Sequence, residues 1–143
     1  MGLFGRREPI PVTPTSPATA PAVANSIVLP PPRPASTREE ADALLEEVGR
    51  IQRRVMDGAP LAGTGEALVS NIEGAALYFL SAGAEPAAVF DQIIAPISEW
   101  GMGRLLGPSL MNPTSNEGVA SKHAFDVVCA LREKYQHLNP NNT

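Results

Sequence analysis

The sequence is poor in the residues that do chemistry. It holds one cysteine, Cys129, so no intrachain disulfide can form, and a reducing compartment is the simpler reading. Its two histidines, His123 and His137, fall on one expected helix, about 21 Å apart along the axis and too far to share a metal ion. Cys129 lies on another face of that helix from His123, which excludes a thiol–imidazole pair and leaves a small apolar core residue. No apolar run reaches the ~18 residues of a membrane span. The most apolar stretch, "ALVSNIEGAALYFLSAGA", is interrupted by Asn71 and Glu73. The N-terminal "MGLFGRREPIPV" has no apolar segment after its arginines, as a secretory signal would, and Arg6 stands where a myristoylation pattern needs Ser or Thr. No strand pattern and no internal repeat is present. "GMGRLLG" (101–107) lacks the preceding strand and following helix of a phosphate loop, and reads as a flexible helix end or a close backbone approach. These absences predict a soluble, cytoplasmic, non-enzymatic chain with no cofactor and no metal.

Proline is plentiful and unevenly placed. Nine of the 15 prolines lie between Pro9 and Pro34. The segment 1–35 has too few large apolar side chains to offset its ordering entropy, so the sequence predicts a disordered proline-rich arm. The arm has Arg6, Arg7 and Arg33 against Glu8, a net charge of +2; the remainder has eight basic and fourteen acidic residues, net −6. An acidic body argues against nucleic acid, whose phosphates need clustered Lys and Arg. Pro31 and Pro34 form a PxxP with Arg33 inside it, readable as a polyproline ligand but more simply as a semi-rigid spacer. The partner-binding candidates on the arm are Leu3, Phe4, Arg6 and Arg7, together with the docking segment Ile27, Val28 and Leu29 and the nearby Arg33. Met1 to Arg7 also suits weak contact with an anionic membrane surface.

The remainder, 36–138, reads as all-α, a small four-helix bundle, with 139–143 as a frayed tail. Ser36-x-x-Glu39 and Thr37-x-x-Glu40 fit capping boxes. Ala41, Leu44, Val48, Ile51 and Val55 then follow at coiled-coil spacing, but for barely two heptads, which suits one helix of a bundle. Glu46–Arg50, Arg53–Asp57 and, further on, Lys122–Asp126 are expected i,i+4 pairs. The second helix should run from Thr64 to Gly83, apolar around most of its circumference, and so be central or covered by another copy. The third begins at Pro86 and should be kinked or broken at Pro96, which lacks an amide donor and crowds the preceding turn. The fourth follows a capping box at Thr114-x-x-Glu117.

Leu44, Val48, Ile51, Val55, Leu68, Ile72 and Phe79 are the expected bundle or self-association interface. A candidate pocket near Pro96 would be lined by Trp100, Met102 and Arg104, with Arg104 otherwise pairing with Glu99. Glu73 and Asn71 are expected on a solvated strip. These readings converge on a helical interaction or assembly module: an adaptor or structural protein with protein partners, a homo-oligomer, and an arm that docks another chain. The alternatives are a small-ligand-binding bundle and a membrane-surface tether.

Overall fold

Thr37 opens the first helix. Its Oγ1 accepts from the Glu40 N–H at 3.1 Å, and the Glu40 carboxylate accepts the Ser36 N–H at 2.7 Å. In the computed structural model of the chain, which describes residues 27–139, this helix is α1, Arg38–Met56. It ends in a Schellman turn: Gly58, at φ 91°, lets its own N–H reach Val55 O, and the Ala59 N–H reaches Arg54 O. α2, Thr64–Ser81, ends the same way through Gly83 at φ 95°, with Gly83 N–H to Leu80 O and Ala84 N–H to Phe79 O. The positive φ at both positions favours glycine, which has no Cβ to strain there.

The third helix is composite. α3, Pro86–Val89, passes into a π-helical stretch, Phe90–Ile94, and on into α4, Ala95–Arg104. Pro96 lies within the helix and does not break it. The π stretch just before it, where Ala95 N–H donates to Phe90 O five residues back, widens the turn that the proline ring would crowd. The bend falls instead at residues 105–106. α5, Gly107–Met111, follows the bend, and α6, Asn116–Lys134, leads to a short 3₁₀ turn, Gln136–Leu138. The N-cap of α6 is Ser115, accepting from Gly118 N–H, one residue beyond the expected Thr114. Among the described residues the architecture is all-helical, four main helical stretches with no strand.

Side-chain pairs give the directions. Arg38 stacks on Phe79, and Leu44 approaches Gly74, so α1 and α2 run antiparallel. Arg132 stacks on Phe90, and Gly101 faces Phe125, so the third stretch runs antiparallel to α6. Gly65 lets α2 approach α6: a Cβ there would stand 2.8 Å from the backbone of Ala124. Consecutive helices therefore alternate in direction, as in an up-down-up-down bundle. The core is shared by Val48 and Ile51 of α1, Leu68, Val69 and Ile72 of α2, Phe90 and Ile94 of the π stretch, and Val127, Val128 and Leu131 of α6. The central position of α2 follows from its nearly all-round apolar surface.

The sequence sets the start of the folded body at Ser36. In the structure the preceding residues already pack on it: Ile27 and Leu29 lie half-buried against the core, and Ala35 N–H donates to Gly74 O at 3.1 Å. On the outer face of α1, Arg50 and Arg54 both reach Glu47, at 2.7 and 3.3 Å, in place of the expected Glu46–Arg50 pair. These two hydrogen bonds hold the Glu47 carboxyl below its usual range. Lys122 and Asp126 pair at 2.7 Å as expected.

Candidate interaction surface

Three features stand apart from ordinary bundle packing. The first is at the bend. A cleft of about 560 Å³ is lined by Leu106, Leu110, Pro113 and Phe125, with Ser109 and the Lys122–Asp126 pair at its edge. Next to it in the chain Leu110 and Met111 are 75% and 87% exposed, and Val119 at the start of α6 is 58% exposed. The cleft exists because the helix turns here. Ser121 of α6, fully buried, donates from its hydroxyl to Leu105 O and accepts from the Ser109 N–H at 3.3 Å. Leu105 O and Ser109 N–H are the two groups that an unbroken helix would join directly. A side chain inserted in that rung forces the helix to turn, and α5 carries its apolar residues outward.

The second feature is the segment 27–35. Ile27 and Leu29 face the core while Val28 between them is 85% exposed, the alternation of an extended chain. Pro31, Pro32, Arg33 and Pro34 are exposed, and Ala35 is tied to Gly74. Gly74 is required here: a Cβ would stand 2.8 Å from Arg33 O and 2.9 Å from Leu44 Cδ1. A second cleft, about 420 Å³, runs between this segment and α1, lined by Arg33, Pro34, Glu40 and Leu44.

The third is polar and interior. Glu73 is 1% exposed, not on a solvated strip, and its Oε2 accepts from Lys134 Nζ and from the Tyr135 hydroxyl, each at 2.5 Å. Its Oε1 is buried and has no hydrogen-bond partner among the described residues. Burial, then the hydrogen bond and charge of Glu73, push the Tyr135 phenol above its ordinary range. One turn-pair earlier on α2, Glu66 meets His123 Nε2 at 2.5 Å at the edge of the same α2–α6 contact. Asn71 back-bonds to Ala67 O at 2.7 Å. Burial, followed by Asp126 and Glu133, raises the Cys129 thiol, which is no activated nucleophile.

The residues singled out in the sequence are dispersed. Val48, Ile51, Leu68 and Ile72 are core; Val55 and Phe79 pack against it, and Leu44 lies over Gly74, so this seam is used within the chain. Trp100 packs half-buried on the core, whereas Met102 is 64% exposed and Arg104 is exposed. Arg104 forms no ion pair with Glu99, and none of the three lines either cleft described above. Leu3, Phe4, Arg6 and Arg7 lie outside the described residues. Two functional features lie outside the sequence expectations: Ser121, a polar residue on the apolar face of α6, and the exposed pair Leu110–Met111. Among the described residues no group of three or more His, Cys, Asp or Glu is placed to hold a metal, and no helix is long and apolar enough to cross a membrane. Comparison with known protein families, with curated proteins and with solved structures finds no match to this chain.

Proposed function

We propose that the chain is a non-enzymatic helical assembly module that self-associates through the apolar face at the bend and keeps its proline-rich segment for a second protein. The observation that carries this reading is the exposure of Leu110 and Met111 beside the Leu106–Phe125 cleft. A monomer rarely spends large apolar side chains in one place on water. The occupant is a second copy. The cleft is edged by one cation and one anion, Lys122 and Asp126, so a two-fold contact would set each Lys122 against the other copy's Asp126. A body of little more than a hundred residues buries a modest share of its surface, and pairing adds to it.

Light scattering on the full chain tests this. The expected result is a defined oligomer that Leu110→Glu with Met111→Glu converts to a monomer of unchanged helical circular dichroism. Both residues are exposed, so the fold tolerates the change. A wild-type monomer at tens of micromolar, or an oligomer indifferent to the double substitution, overturns the proposal.

A further inference from the structure

Residues 30–34, "PPPRP", are neither buried nor free. One end is anchored where Ile27 and Leu29 pack on the core, and the other where Ala35 N–H donates to Gly74 O at 3.1 Å. Between the anchors Pro31, Pro32, Arg33 and Pro34 face water. Prolines have no N–H, so four of the five residues here have no backbone donor to leave unpaired. Arg33 has no ion-pair partner among the described residues. A spacer needs no such fastening. The closeness of that anchor shows at Gly74, where a methyl group would collide with Arg33 O and Leu44.

We infer that this anchored strap is a displayed ligand for a protein with an aromatic-lined groove and a carboxylate at its edge. Proline fixes φ near the polyproline II value, and that helix repeats every three residues, so Pro31 and Pro34 share one edge for the aromatic groove. Arg33 lies on another edge, where a partner carboxylate can reach it. The cleft of about 420 Å³ beside Arg33, Pro34 and Leu44 gives the partner room to extend past the strap onto α1. Anchoring at both ends removes in advance most of the ordering entropy that a free peptide loses on binding. The inference rests on the second-partner half of the proposed function and is independent of self-association.

The test titrates the full chain, and a synthetic peptide of residues 27–35, against a panel of isolated SH3, WW and EVH1 domains. At least one domain should bind the full chain about tenfold more tightly than the peptide. Pro31→Ala with Pro34→Ala should abolish that binding. Gly74→Ala, which dislodges the strap, should lower affinity to that of the peptide. The Leu110→Glu, Met111→Glu variant should bind as wild type, which separates this result from the oligomeric state. Binding by no domain of the panel, or binding that survives the double proline substitution, overturns the inference. Equal affinity of peptide and chain overturns the claim that anchoring preorganises the ligand.

Discussion

Glu73 is the residue on which the interior turns. It sits in the most apolar helix of the chain, and its charge is tolerated because α6 supplies an ammonium and a phenol at its C-terminal end. A buried carboxylate stripped of its donors is strongly destabilising. Lys134 keeps a 40% exposed side chain, so its loss is softened by solvent. Tyr135→Phe should cost about 1.5–3 kcal/mol and Lys134→Met about 1–2 kcal/mol in denaturant titrations, the range for hydrogen bonds to a charged group. The double variant should depart from additivity, because both donors share Oε2. The phenol also gives a pH signature. Its pKa is raised in the folded state, so above the ordinary tyrosine value of about 10 the unfolded chain has released a proton that the native state still holds. Stability then falls with rising pH, by up to about 1.4 kcal/mol per pH unit. Melting curves from pH 8 to 12 should show that extra slope above about pH 10 in the wild type and not in Tyr135→Phe. A helical projection of α2 alone gives Glu73 no special status. Only Lys134 and Tyr135, more than sixty residues away, distinguish a buried anion from a solvated one.

At the scale of elements, the third helix shows how a local signal can be right in kind and displaced in position. Pro96 announces an irregularity, and the helix meets it with a π stretch, a local solution that keeps the axis going. The sharp turn comes at 105–106, where Ser121 occupies the rung between Leu105 and Ser109. That cause belongs to another helix and is invisible in the segment that bends. Ser121→Ala should leave two buried backbone groups unpaired and lower stability by about 1–3 kcal/mol, measured by urea unfolding. Ser121→Thr, which keeps the hydroxyl, should recover most of that loss. The glycine stops of α1 and α2, by contrast, are local in origin. Gly58 and Gly83 follow their helices because only a residue tolerant of positive φ can close the final carbonyls, a requirement that needs no tertiary partner.

For the whole molecule, the consequential change is where the folded body begins. With the segment 27–35 in place, two half-buried aliphatic side chains and one backbone hydrogen bond tie it to α2 and the core. A chain starting at residue 36 should be less stable than one starting at residue 27 by about 2–3 kcal/mol, as half-burial of two aliphatics implies. Paired chemical denaturation curves measure the difference, and equal midpoints would show that the strap adds nothing. The apolar seam of α1 and α2 is used within the bundle.

By itself, the sequence determined the fold class, the number of helical stretches and the glycine stops of the first two helices. All of these follow from periodicity and backbone sterics acting over a few neighbouring residues. Tertiary structure decided the rest: that Glu73 is buried, that the bend lies at 105–106, that Ile27 and Leu29 cover the core, and that "PPPRP" is held at both ends. Each of these depends on a contact between residues distant in the chain, such as Ser121 with Leu105 or Ala35 with Gly74. Local propensity is blind to such contacts, because their free energy exists only once the helices have packed.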